Sequence, residues 1–197
     1  MAGKPSKYDK RYLAAVDAAA AVFAEKGYHG ANTVDIANLL DIKQGSLYYY
    51  FRSKEEALEA VCLQGITWQV SNLQELLDQQ LPLARAIAEL LRYNFQSLTD
   101  RADYMIVFND DRQAIPLERR GRIREQSVAY HGLLEQLFTE AQAKGDVREE
   151  LDPRILVRAL TGLISSVFSW YHQKNELDME KISEQYCQVF LAGCLKS

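Results

Sequence analysis

Residues 33–56 read Thr33-Val-Asp-Ile-Ala37-Asn-Leu-Leu-Asp41-Ile-Lys-Gln-Gly45-Ser-Leu-Tyr48-Tyr-Tyr-Phe51-Arg-Ser-Lys54-Glu-Glu56, and this stretch decides the fold. Thr33 is placed to cap a short helix carrying Val34, Ile36, Ala37 and Leu40, because its hydroxyl can accept a bond from a backbone N–H that the first turn leaves unpaired. Asp41, Ile42 and Lys43 make a tight corner. Gln44 to Tyr50 then form a second short helix that turns Leu47 and Phe51 inward, one turn apart. Ser53 opens a Ser-x-x-Glu capping box that starts a longer helix. Two short helices across a three-residue corner form a helix-turn-helix, whose second helix lies in the DNA major groove.

A recognition helix offers its N-terminal residues to base edges, which nominates Lys43, Gln44, Gly45 and Ser46, with Gly45 allowing close backbone approach. Tyr48 and Tyr49 lie one turn further on, where rings meet thymine methyls or sugars and hydroxyls reach phosphates. A run of three tyrosines and a phenylalanine also suits a small core, and Leu47 and Phe51 serve one. Consecutive helical residues cannot all face inward, however, and at about 100° per residue Tyr49 points far from Phe51. Thr33 and Lys54 sit at helix N-termini, where unpaired N–H groups and the helix dipole favour a phosphate oxygen. The plainer readings are a cap and a solvated lysine. The basic arm of Lys4, Lys7, Lys10 and Arg11 can follow the DNA backbone or a minor groove.

Outward from this stretch the apolar spacing stays helical. From Tyr8 to about Lys26, Tyr12, Val16, Ala19 and Phe23 form one stripe that ends before Gly27. Beyond residue 53 the helix that Ser53 opens is followed by five more, at about 82–99, 102–110, 116–143, 153–174 and 178–195, with Pro82, Pro116 and Pro153 at first turns. The expected fold is all-α, with about nine helices. Residues 1–53 form a DNA-binding domain with a basic arm, and residues 54–197 a helical effector-binding and dimerisation domain. The eighth helix has a bulky stripe, Leu156, Leu160, Leu163 and Val167, and a small-residue stripe, Ala159, Gly162, Ser166 and Ser169. A helix apolar on two sides is buried on two sides. With Tyr186 and Phe190 of the ninth helix, the small stripe suits a second copy of the chain; the alternative places both helices centrally in a monomer.

The stretch 33–56 resembles the DNA-binding signature of TetR-type repressors over about residues 10–60. The resemblance implies a three-helix headpiece, a ligand-binding body of about six helices, a homodimer on a palindromic double-stranded operator, and DNA contacts by Tyr48, Tyr49 and Tyr50. Two departures stand out. Leu40 and Asp41 replace the usual small residue and Gly, and Asp enters the left-handed region less easily. Lys43 and Gln44 replace the frequent Ser followed by Lys or Arg, and Gln favours adenine N6 and N7 where Lys or Arg favours guanine.

The 197 residues carry 48% hydrophobic and 25% charged side chains, a globular balance that excludes long disorder and disulfide scaffolds. The net charge of −4 is uneven. Residues 1–55 hold eight Lys or Arg against six Asp or Glu, so the remainder is acidic and the basic part is N-terminal. Cys62, Cys187 and Cys194 lack zinc-site or secreted-framework spacing, and no apolar segment suits a membrane, so a cytoplasmic setting without metal or cofactor is expected. His29, His131 and His172 are isolated, and no nucleophile elbow, His-Glu-x-x-His or phosphate loop is present, so no enzyme is indicated.

Each of Trp68, Tyr93, Tyr104, Phe108, Tyr130, Leu134 and Trp170 alone is more often core than pocket, but together, with His131 and Asn94 as polar neighbours, they suit an apolar effector cavity between helices. Asp152-Pro153 and Trp170-Tyr171 resemble the body of acyl-CoA- or fatty-acid-responsive TetR members. Arg112, Arg119, Arg120, Arg122 and Arg124 either meet coenzyme A phosphates or form a solvated face paired with Glu118 and Glu125. The expected function is a repressor released from its operator by a small apolar or acyl-type effector. The rivals are a redox switch through Cys187 and Cys194, and a helical adaptor that never meets DNA.

Overall fold

The computed structural model describes residues 6–171 and 178–196, Ser169 by its backbone alone. Its helices are α1 (Lys7–Gly30), α2 (Thr33–Leu39), α3 (Gln44–Leu47), α4 (Lys54–Leu77), α5 (Leu83–Asp100), α6 (Ala102–Asp110), α7 (Gly121–Ala143), α8 (Pro153–Trp170) and α9 (Met179–Cys194). Two 3-10 turns, Arg112–Ala114 and Leu117–Arg119, stand where the sequence pattern predicts the seventh helix to begin. That helix starts at Gly121, since the carbonyls of Pro116 and Leu117 accept i+3 bonds from Arg119 and Arg120. The expected end of α8 at 174 lies outside the described residues. Among them no strand occurs, only an isolated bridge between Val147 and Leu195.

Two compact units arise, residues 1–66 with 103–124, and residues 67–102 with 125–197. This differs from the expected division at 53/54, because α6 and the 3-10 turns bond to the headpiece helices. The Tyr104 hydroxyl donates to Asp17 of α1 at 2.5 Å, the Tyr28 N–H donates to Asp111 at 3.1 Å, and Arg119 pairs with Glu59 of α4 at 2.8 Å.

In the first unit the α1 stripe is inward as its spacing requires. Val16, Ala19 and Phe23 are buried and Tyr12 is half-buried. Helical geometry breaks at Gly27 (φ 66°, ψ 159°), a left-handed φ that glycine adopts without a Cβ penalty. In the second unit α5 packs on α9 and α8. Phe95 meets Tyr186 edge-on at 5.5 Å, and Phe138 meets Phe190 at 5.8 Å. The bulky stripe of α8 is buried at Leu156, Leu160 and Val167, while Ala159 and Gly162 are exposed. Such a two-faced helix follows from its two sequence stripes.

Candidate DNA-binding site

The start of α2 is built one residue earlier than Thr33. Asn32 is the N-cap, its carboxamide oxygen accepting from Val34 and Asp35 N–H, while the Asp35 carboxylate accepts from Asn32 N–H. This box replaces the Thr33 cap, because Asn32 supplies a short side-chain oxygen in extended backbone and Asp35 returns a second bond. Lys26 of α1 pairs with Asp35 at 2.8 Å, and the ammonium holds that carboxyl below its ordinary value.

Freed from capping, the Thr33 hydroxyl turns to the second short helix, where its Oγ1 accepts from Gln44 Nε2 at 3.0 Å. The corner between them is a Schellman turn, in which Ile42 N–H donates to Ala37 and Asp41 N–H to Asn38. Asp41 takes φ 53°, the left-handed region that its substitution for Gly makes costly. Asp41→Gly is expected to stabilise the headpiece by about 0.5–1 kcal/mol. Denaturant unfolding measures it, and a loss of stability would show that the Asp41 side chain contributes more than its backbone strain costs.

Helix α3 ends at Leu47 rather than Tyr50, with Tyr49 and Tyr50 N–H donating to Ser46 and Leu47 in tighter i+3 bonds. Leu47 and Phe51 are each 2% exposed, whereas Tyr48 is 51% and Tyr49 71% exposed. Lys43, Gln44, Gly45 and Ser46 are also exposed, and Tyr50 is half-buried. The exposed edge of the second short helix therefore carries the amide, hydroxyl, ammonium and phenol groups that base edges and phosphates accept.

Lys54 is not the solvated lysine of the plainer reading. Its ammonium donates to the carbonyls of Tyr28 at 2.7 Å and Ala31 at 2.9 Å, and lies 4.3 Å from the Tyr28 ring centroid. Two of its three protons thus bind the end of α1 to the start of α4, leaving one for a phosphate. The Tyr28 hydroxyl donates to Glu55 at 3.0 Å, and burial with that bond pushes its pKa up to about 12. Ser53 caps α4 as expected by accepting from Glu56 N–H at 3.2 Å, but Glu56 returns its bond to Arg52 N–H.

The arginine run is tied down through other partners than Glu118 and Glu125. Arg112 donates to Phe108 and Asn109 carbonyls, Arg120 to Ile115 and Gln113, and Arg119 to Glu59. Capping the ends of α6 and the 3-10 turns satisfies carbonyls that helix termini leave unpaired. Arg122 and Arg124 remain exposed.

Of the residues nominated for an effector, Tyr104 is buried in the first unit, where Phe108 is half-buried 5.2 Å beneath the Arg112 guanidinium. In the second unit Trp68, Tyr93 and Trp170 are half-buried. The Arg101 guanidinium stacks 4.0 Å from the Trp68 centroid, and the Tyr93 hydroxyl receives bonds from Arg101 and Asn72. Tyr93 and Asn72 line a cleft of about 320 Å³ with Leu73, Leu90, Arg85 and Arg92. Tyr130 and Leu134 are buried, burial pushing the Tyr130 phenol up to about 12. Asn94 is 2% exposed and donates to Leu90. His131 lies at the surface, and partial desolvation with the nearby Arg158 lowers its pKa.

At the expected dimer face, Ala159 and Gly162 are exposed, and Ser166 is half-buried against the Tyr186 hydroxyl at 3.2 Å. Phe190 is buried on Phe138 and Tyr186 packs on Phe95, so both rings face their own chain. The side chain of Ser169 lies outside the described residues. Cys187 and Cys194 are buried, and burial raises both thiols above their ordinary value. A redox switch needs the opposite, an accessible thiol of lowered pKa.

An exposed helix-turn-helix edge above a buried Leu47–Phe51 anchor, joined in one chain to a helical body, defines a DNA-binding regulator. Residues 15–61 match the family described as "Bacterial regulatory proteins, tetR family", and residues 82–194 match "Tetracyclin repressor-like, C-terminal domain". The chain belongs to the TetR family and is a DNA-binding transcriptional regulator. It is similar to the fatty acid metabolism regulator protein of Bacillus subtilis (strain 168), at 25% identity over 184 residues, 93% of this chain and 95% of that protein. It is also similar to the repressor KstR2 of Mycolicibacterium smegmatis, at 24% identity over 194 residues, 98% of this chain and 95% of that one. The solved structure of FadR from Bacillus subtilis in complex with stearoyl-CoA superposes with a TM-score of 0.81 at 25% identity, covering 92% of this chain and 98% of that one. Among the described residues no helix is long and apolar enough to cross a membrane.

Proposed function

We propose that this regulator is a repressor that acts in the cytoplasm and is released from a palindromic operator by an acyl-type effector, an acyl-CoA or a fatty acid. The observation that carries the reading is the similarity, along 92% of the chain, to a regulator solved with stearoyl-CoA. The body suits such a ligand, since the half-buried rings of Trp68, Tyr93 and Trp170 offer apolar area, with the Asn72 and Arg101 donors beside Tyr93 and the Arg101 guanidinium over Trp68. On DNA, Gln44 and Lys43 read base edges while Gly45, Ser46, Tyr48 and Tyr49 meet sugars, methyls and phosphates. Thr33 supports Gln44 and Lys54 supports the frame. The second copy packs on the exposed face of α8 and α9 around Ile155, Ala159, Gly162 and Val189, of which Ile155 is 60% and Val189 68% exposed.

Two recognition helices enter successive major grooves only when about 34–36 Å apart. An effector that binds better to a different spacing therefore lowers operator affinity, by as much as its preference for that spacing. The test is thermal shift and operator release with stearoyl-CoA, stearate, coenzyme A and aromatic compounds. An effector at 100 times its Kd is expected to stabilise the protein by about 2.7 kcal/mol. Stabilisation and release by neither stearoyl-CoA nor stearate would reject an acyl effector.

A further inference from the structure

We propose that Tyr8, in the first turn of α1, is a positioning residue for DNA recognition, its ring holding Tyr49 in the orientation that meets DNA; the inference rests on the reading of Tyr49 as a DNA contact. Tyr8 and Tyr49 are 41 positions apart and largely exposed, at 46% and 71%. Their rings nonetheless meet edge-on, with centroids 5.6 Å apart and planes at 84°. Tyr8 also stacks on Tyr12 at 6.1 Å and tilts against Tyr50 at 6.4 Å, and Tyr49 meets Tyr50 edge-on at 5.3 Å. Tyr12 in turn packs on buried Phe51 at 5.8 Å. The chain of rings thus runs from the headpiece core through α1 to the exposed tip of Tyr49.

An exposed tyrosine without such a neighbour samples several rotamers, and binding DNA must then freeze it. Tyr8 removes that freedom before DNA arrives. The first turn is itself fixed by a capping box, in which Ser6 Oγ accepts from Asp9 N–H and the Asp9 carboxylate accepts from Ser6 N–H. Tyr8 is therefore held by the backbone on one side and by Tyr12 on the other. Lys7, Lys10 and Arg11, expected in an arm ahead of the first helix, lie instead within the first two turns of α1, so their placement and that of Tyr49 are linked through one ring.

The test uses the full-length protein and a duplex recovered by selection from random oligonucleotides with the unsubstituted chain, with a scrambled duplex as control. Tyr8→Ala is expected to weaken binding to the selected duplex about three- to tenfold, the range of one aromatic pair. Its salt slope should stay unchanged, because no phosphate charge is removed. Tyr8→Phe keeps the ring and should retain affinity. In the Tyr49→Ala background Tyr8→Ala should add little, which a double-mutant cycle reads as coupling. Equal losses from Tyr8→Phe and Tyr8→Ala would overturn the proposal by making the hydroxyl a direct contact, as would losses that simply multiply. If Tyr49→Ala alone binds the selected duplex normally, the reading of Tyr49 fails. If Tyr49→Ala weakens binding and Tyr8→Ala does not, only the role of Tyr8 fails. Melting of each variant without DNA separates these outcomes from unfolding.

Discussion

Replacing Lys54 with Met is expected to destabilise the headpiece by about 2–3 kcal/mol in the absence of DNA, since two charge-assisted hydrogen bonds are lost and two carbonyls are left beneath an apolar stem. Those carbonyls belong to Tyr28 and Ala31, which are 7% and 3% exposed, so water reaches them poorly. Met keeps the length and packing of the aliphatic chain, which isolates the ammonium. The loss also removes a cation from the Tyr28 ring, a contact of about 0.5–1 kcal/mol at sites open to solvent. Denaturant unfolding measures the effect. The salt slope of DNA binding should fall by no more than about one, the contribution of the single remaining proton if it meets a phosphate. Unchanged stability with a reduced slope would instead make Lys54 a phosphate contact alone.

Gln44→Ala is expected to lower affinity for the selected operator by about 1–3 kcal/mol and to relax preference at one base pair, while binding to scrambled duplex stays nearly unchanged. Gln44 is exposed at the first position of α3, and its carboxamide nitrogen is already held by Thr33 Oγ1. That bond fixes the amide nitrogen and leaves its oxygen to accept from adenine N6–H and its second proton to donate to N7, the bidentate pairing of Gln with adenine. Thr33→Val keeps the shape and removes the acceptor. It should reproduce part of the Gln44→Ala loss, and the two losses should not add. Electrophoretic mobility shifts on single-base variants of the operator measure both. Equal losses on matched and scrambled DNA would show that Gln44 positions the protein without reading sequence.

Features set by neighbours along the chain are legible in the sequence. The α1 stripe, the corner at Asp41, the inward turn of Leu47 and Phe51, the Ser53 cap and the exposure of Tyr49 all follow from backbone stereochemistry and helical period. Even the misplaced cap of α2 carries a local signal, since Asn32-x-x-Asp35 is itself a capping-box pattern. The effector body is less legible, because large apolar residues at helical spacing serve core and cavity alike; Tyr130 and Leu134 are buried, while Trp68 and Tyr93 stand half-open beside Arg101 and Asn72.

A chain of helices, with a helix-turn-helix near its start and two faces on α8, is written in local residue order, because φ preferences and period act over four residues or fewer. Where long polar and aromatic side chains end is a matter of tertiary packing. Lys54 turns to carbonyls 23 and 26 residues back, Gln44 to Thr33, Arg119 to Glu59 and Tyr49 to Tyr8. Each of these side chains is flexible enough to have several partners within reach, and the meeting of distant segments selects one.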